Sequence, residues 1–247
     1  MTERNDHWSV ALDYGFTVIF FELLTTAMNE KLNLLELDNW TIRYRLPEGD
    51  GPFPVIWLMH GWTGDEDSMW IFASRLPEEY LLLAPRGLFT TPIGGYSWHR
   101  IAENKKWPSV DDFRPAVNEL HLLMENWPAS APAADFVRFR MAGFSQGGAL
   151  AYTFAMLNPN PIIALAGLAT FLPEDSENYL HPTLFKDILI YISHGVKDNL
   201  VPVTRARYAV EQLDRAGAQV QYCESNVGHK LSAECFKGME VFFTREI

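Results

Sequence analysis

Six short runs of largely apolar residues constrain this chain more than any other feature. They are PVIWLMHG (Pro54–Gly61), YLLLAPRG (Tyr80–Gly87), VRFRMAGFS (Val137–Ser145), PIIALAGLA (Pro161–Ala169), ILIYISHG (Ile188–Gly195) and AQVQYCE (Ala218–Glu224). Most lack polar alternation, as expected of strands buried on both faces of a parallel sheet. LELDNWTIRYRLP (Leu35–Pro47) does alternate and reads as an edge strand or hairpin ahead of the parallel set. Helical patterns fill the gaps. Ser109 caps a helix with Asp112 three positions on, and Phe113, Val117, Leu120, Met124 and Trp127 recur along one face until Pro128 stops it. Gly148–Leu157 and Val203–Ala216 are further helices, the second ending at Gly217 in a position suited to left-handed backbone. Strand–helix alternation over most of the chain predicts an α/β fold: a mostly parallel, doubly wound sheet flanked by helices.

The chain has 247 residues, enough for one α/β domain of ordinary size. Residues 35–247 read as that domain and residues 1–34 as an N-terminal extension packed on it. The run GFTVIFFELLTTAM (Gly15–Met28) is too short to span a bilayer and carries Glu22, so no stable membrane insertion is expected. Glu3 and Asp6 beside a single Arg4 do not make the basic start of a secretory signal, which leaves the cytoplasm as the expected location. A net charge of −11 repels phosphates and acidic lipids and argues against a nucleic-acid partner. Cys223 and Cys235 form no CxxC pattern, and no Cys/His cluster has metal-ligand spacing. The pair is expected to be two free thiols, core residues suited to a reducing compartment.

In a sheet of this kind, functional groups gather beyond the carboxyl ends of the parallel strands. MAGFSQGG (Met141–Gly148) places Ser145 between Gly143 and Gly147, where a strand hands over to a helix. A sharp turn there projects the hydroxyl and aims helix N–H groups at whatever the serine attacks. Chance can produce such a pentapeptide, so its partners decide. Asp198 follows the fifth strand in SHGVKDNLVP, and His229 follows the sixth in NVGHKLS. A neutral histidine can take the serine proton, and a carboxylate can hold the imidazole in the right tautomer. HGWTGD (His60–Asp65) leaves the first parallel strand, so the backbone N–H of Trp62 pairs with that of Gln146 as a candidate oxyanion site.

HGWTGD, APRG, GFSQGG, HGVKDNLVP and GHKLS together resemble the phospholipase/carboxylesterase branch of the α/β-hydrolases, which also contains acyl-protein thioesterases. The resemblance runs from about Leu35 to the C-terminus; the first thirty or so residues have no counterpart in it. It implies a serine hydrolase of carboxylic esters with no metal and no organic cofactor. Ser145, Asp198 and His229 are then the catalytic triad, and Trp62 and Gln146 the oxyanion donors. TTPIGGYSWHR (Thr90–Arg100) is similar to the family's substrate-side loop, which makes Trp98 and His99 candidate substrate contacts. The implied partner is a small-molecule ester of small to medium size, handled by a monomer or a homodimer. The alternatives are a thioesterase or lysophospholipase for longer acyl chains, or a non-catalytic binding protein that keeps the fold.

Other residues compete for these roles. Asp187 precedes its strand and Asp214 lies within a helix, so neither stands where Asp198 does. His60 and His194 each precede a glycine at a strand end, which suits loop bracing. His7, His121 and His181 read as solvated, Trp70 and Trp107 as ordinary packing residues, and Arg86 as a brace between loops.

Overall fold

The computed structural model describes residues 32–100 and 107–245. The Gly15–Met28 run, His7 and the segment 101–106 lie outside the described residues. The described residues begin with a hairpin, β1 (Leu32–Leu37) and β2 (Trp40–Arg45), the alternating segment expected at an edge. There follow β3 (Phe53–Met59), a short helix α1 (Trp70–Ala73), β4 (Leu81–Pro85) and a small ribbon of β5 (Phe89–Thr90) with β6 (Tyr96–Ser97). Helix α2 (Val110–Glu125) leads to β7 (Ala134–Phe144), α3 (Gln146–Leu157) and β8 (Ile162–Leu168). A 3₁₀ turn at Ser176–Asn178 precedes β9 (Leu189–Gly195), α4 (Val203–Arg215), β10 (Gln219–Ser225) and α5 (Ala233–Phe243).

Eight of these strands form one sheet in the order β1-β2-β4-β3-β7-β8-β9-β10. Only the β1–β2 and β2–β4 pairings are antiparallel; the other five are parallel. Strand β3 explains why most of the parallel runs are apolar. Val55, Trp57 and Met59 enter the core formed with α2, α3 and α4, whereas Ile56 and Leu58 enter a second core with α1 and α5. Successive side chains point to opposite faces, and both faces are covered.

Local chemistry sets the helix ends. Ser109 and Asp112 form the reciprocal capping box expected at the start of α2. Gly217 ends α4 with φ of +94°, a conformation that costs glycine nothing. Helix α3 is buried along almost its whole length and contains Gly147, Gly148, Ala149, Ala151 and Ala155, whose small side chains let it lie close against the sheet.

The cysteines depart from expectation. Cys223 on β10 and Cys235 on α5 are bridged by a disulfide and are not free thiols. The fold brings their Cα atoms to 5.5 Å, within the bridging range, which a spacing of twelve residues does not reveal. No helix among the described residues is long and apolar enough to cross a membrane.

Candidate active site

The sheet order determines where a site can form. Strand β3 pairs with β4 on one side and with β7 on the other, so the chain leaves β3 in one direction and later returns in the opposite one. Loops that diverge from a reversal point leave a crevice at the strand ends. Here the crevice lies between the turn after β3, beginning at His60, and the turn after β7, at Ser145.

Ser145 sits in that turn with φ of 53° and ψ of −118°, a conformation that non-glycine residues rarely adopt. The flanking glycines are required sterically. A Cβ on Gly143 would stand 2.3 Å from the Gly147 carbonyl oxygen, and one on Gly147 would stand 2.1 Å from that of Met59. The turn is also tied on both sides. The Ser145 N–H donates to the Leu168 carbonyl at 2.8 Å, and the Thr170 hydroxyl donates to the Ser145 carbonyl at 2.6 Å. Strain held in this way by its surroundings fixes the side chain's direction before any ligand arrives.

Asp198 and His229 meet. Nδ1 of His229 lies 2.6 Å from Oδ2 of Asp198, while Oδ1 accepts the N–H groups of Leu200 and Val201, each at 2.9 Å. The Asp198 side chain is wholly buried and that of His229 is 18% exposed, so the ring has one edge held and one edge open. The His229 ring packs against Phe144, the residue before Ser145, with centroids 4.9 Å apart.

Trp62 and Gln146 flank the serine. Gly61 lies so near that a Cβ there would be 3.4 Å from the Ser145 Cβ, which brings the backbone of the His60–Trp62 turn beside Ser145. Gln146 opens α3, where helix geometry leaves an N–H without an intrahelical acceptor. Its side chain does structural work. Oε1 accepts the Trp98 N–H at 3.0 Å, and Nε2 donates to the Ser97 hydroxyl at 3.0 Å.

Trp98 has a different place from the one its sequence suggests. It is fully buried, donates its indole N–H to the His60 carbonyl at 2.8 Å, and packs on the His60 ring at 4.8 Å. It props the His60 turn from behind and is not among the residues lining the cleft beside the Ser145 turn. His99 is half-buried with its ring edge-on to Phe113 at 5.1 Å. His60 and Arg86 brace loops as expected. The Gly87 N–H donates to His60 Nε2 at 2.8 Å, and Nδ1 faces the Gly61 carbonyl at 2.7 Å. Burial pushes the His60 ring below its ordinary pKa, so it stays neutral. Arg86 grips Glu66 through two hydrogen bonds of 2.6 and 2.7 Å, joining the turns after β3 and β4.

Ser97 and Thr170 were missed by sequence reasoning; each is an ordinary hydroxyl whose partner lies 49 or 25 residues away. Beside the elbow opens a cleft of about 310 Å3 lined by Trp62, Thr63, Met69, Ile71, Phe72 and Phe144. Among the described residues, no group of three or more His, Cys, Asp or Glu side chains gathers as a metal site.

Comparison with known proteins agrees with this architecture. A segment of 78 residues is 32% identical to acyl-protein thioesterase 1 of Mycosarcoma maydis, spanning 31% of this chain and 31% of that relative. Among solved structures, the carboxylesterase of Mesorhizobium loti superposes with a TM-score of 0.73 at 19% identity, covering 87% of this chain and all of that one. The Bacillus cereus carboxylesterase gives 0.71 at 19% identity, over 90% and 98% of the two chains. Acyl-protein thioesterase 2 of Zea mays gives 0.64 at 19% identity, over 82% and 97%. Residues 48–246 match the phospholipase/carboxylesterase family across its α/β-hydrolase domain, and the chain belongs to that family.

Proposed function

We propose that the protein is a serine carboxylesterase that hydrolyses small to medium carboxylic esters through an acyl-enzyme. Ser145 Oγ attacks the acyl carbon while its proton passes to Nε2 of His229. Asp198 holds the imidazole by Nδ1 and stabilises the imidazolium that forms. The N–H groups of Trp62 and Gln146 receive the oxyanion. When the tetrahedral adduct collapses, the alcohol leaves with the proton from His229. Water then gives a proton to the same nitrogen as it attacks the acyl carbon, and when this second adduct collapses His229 returns that proton to Ser145 Oγ and the acid leaves.

The observation that carries this reading is the junction of two features. A strained Ser145 elbow stands one residue from Phe144, and the Phe144 ring lies against an imidazole whose other side is hydrogen-bonded to buried Asp198. The cleft favours modest acyl groups. Its volume of about 310 Å3 lies at the small end of the roughly 300–1,000 Å3 usual for ligand pockets, and its walls are mostly apolar. A thioesterase or lysophospholipase for long chains would need a longer apolar channel. Residues 1–34 are proposed to pack on the hydrolase domain as an extension whose last residues, Leu32–Leu34, run into β1. The cytoplasmic location loses the support of free thiols, because the bridge between Cys223 and Cys235 suits an oxidising compartment.

Kinetics on p-nitrophenyl acetate, butyrate, octanoate and palmitate test the proposal with wild type and Ser145→Ala. Wild-type kcat/KM is expected to peak at butyrate or octanoate and fall by palmitate, and Ser145→Ala to be inactive with an unchanged melting temperature. Activity in pure Ser145→Ala would overturn the serine mechanism, and a rate still rising at palmitate would favour the long-chain alternative. Failure of wild type to react with a fluorophosphonate would favour a binding protein.

A further inference from the structure

His194 is the penultimate residue of β9, and its side chain is completely buried. The reaction as proposed does not use it, yet it faces the same loop that carries Asp198. Its Nε2 lies 2.8 Å from the Val201 carbonyl and 3.4 Å from Asp198 Oδ2. Nδ1 is buried with no hydrogen-bond partner.

These contacts fix the tautomer. A carbonyl can only accept, so Nε2 carries the proton, and Nδ1 is the bare nitrogen. The alternative would strand an N–H at Nδ1 and set two lone pairs against each other at Val201. Burial also pushes this ring below the ordinary histidine pKa, which keeps it neutral. The single N–H therefore points between a carbonyl and a carboxylate oxygen.

Val201 is held from both sides. Its N–H donates to Asp198 Oδ1, and its carbonyl receives His194. The chain from His194 to Val201 to Asp198 thus ties the carboxylate to the sheet, because His194 itself is a strand residue. At 3.4 Å the direct approach to Oδ2 is too long for a strong hydrogen bond, so the main effect runs through Val201. Oδ2 remains available to His229, which it meets at 2.6 Å.

We propose that His194 is a positioning residue for the Asp198–His229 pair, its Nε2–H anchoring Val201 so that the carboxylate faces the base. The inference rests on the reading of Asp198 and His229 as orienting acid and proton carrier. A side chain that only filled space would be replaceable by any apolar group of similar size, whereas a positioning donor is replaceable only by another donor at the same point. Glutamine can place an amide N–H near the Nε2 position. Asparagine is shorter and places its amide near Nδ1, and methionine offers no donor.

The test compares His194→Gln, His194→Asn and His194→Met with wild type and Ser145→Ala, measuring kcat and KM on p-nitrophenyl butyrate together with melting temperature. The Met and Asn variants are expected to lose kcat by about 30-fold with KM within about twofold, as when a catalytic group is displaced by a fraction of an ångström. His194→Gln should recover most of that loss. In parallel, wild type labelled with 15N-histidine is expected to show a neutral ring protonated at Nε2, assigned to His194 by its disappearance in His194→Gln. This second measurement decides the matter if the Met and Asn variants do not fold. A ring protonated at Nδ1, a Met variant with full kcat, or a Gln variant no better than Met would each overturn the positioning role. Activity in Ser145→Ala would instead overturn the reading on which it rests; an inactive Ser145→Ala beside a fully active Met variant removes His194's role alone.

Discussion

Gly195 and Gly228 touch backbone to backbone: a Cβ on Gly195 would stand 2.2 Å from the Gly228 carbonyl oxygen and 2.3 Å from that of Val227. One end of β9 thereby supports the loop that presents His229, and Lys197 N–H donates to Val227 O at 2.9 Å to close the contact. The glycine before the Asp198 turn is needed because the His229 turn lies on it.

Gly195→Ala should therefore act on both partners at once. The added methyl has only backbone atoms to displace, so a destabilisation of about 1–3 kcal/mol is expected. The larger effect falls on rate, since moving the His229 loop by about an ångström can cost on the order of 100-fold. Urea denaturation and kcat/KM on a butyrate ester measure the two effects. A variant with normal stability and normal rate would show that the loops are free to separate.

The bridge between Cys223 and Cys235 encloses His229 within a short covalent loop, joining β10 to the start of α5. Closing a loop of this length stabilises the folded state by about 3 kcal/mol, chiefly by restricting the unfolded chain. Dithiothreitol should lower the melting temperature, and denatured protein should show two more titratable thiols after reduction than before. Two titratable thiols in unreduced, denatured protein would show that the bridge does not form in solution.

The sequence-level reading succeeded where local pattern and tertiary role coincide. The runs around Trp57, Leu83 and Ile190 are apolar because both faces of those strands are buried, so they announce a parallel sheet directly. Asp198 and His229 stand just after strands, so topology predicts their neighbourhood and the structure brings them together. Helix α5 was not legible. Gly238 interrupts its pattern, and the reason lies elsewhere: a Cβ there would stand 2.6 Å from the Tyr191 hydroxyl. Trp98 resembled a pocket aromatic because nothing nearby in the chain shows that its indole N–H is directed to His60, 38 residues earlier. Thr170, Ser97 and the disulfide share that cause. Each depends on the meeting of distant segments, which carries no local signature.

Acid should weaken the fold through His60. Its Nε2 accepts the Gly87 N–H, so a proton there would break a buried hydrogen bond. Burial places the folded-state pKa below the ordinary value of 6.5. The unfolded chain therefore binds a proton that the native state refuses. The associated stability is complete above about pH 6.5 and is lost as pH falls towards the folded pKa, at up to about 1.4 kcal/mol per pH unit. His194, shifted in the same direction by burial, adds to the loss. Urea midpoints measured from pH 8 to pH 5 should be flat down to about 7 and then fall. A His60→Gln variant, less stable at neutral pH, should show a shallower decline; an identical slope would remove His60 as the cause.

Ile71 offers the cleanest way to examine the cleft, because it lines the wall yet is 70% exposed, leaving the core unaffected by its replacement. Ile71→Trp adds bulk beside Trp62 and Phe72 and should shorten the acyl chain that fits. The discrimination available to an apolar pocket is about 10-fold or more for each misplaced methylene. The ratio of kcat/KM for octanoate to that for acetate is thus expected to fall at least 10-fold, with acetate turnover close to wild type. Stability should stay within about 0.5 kcal/mol of wild type, as for other surface substitutions. An unchanged ratio would mean that the acyl chain does not lie against Ile71, and that this cleft holds the alcohol portion of the ester instead.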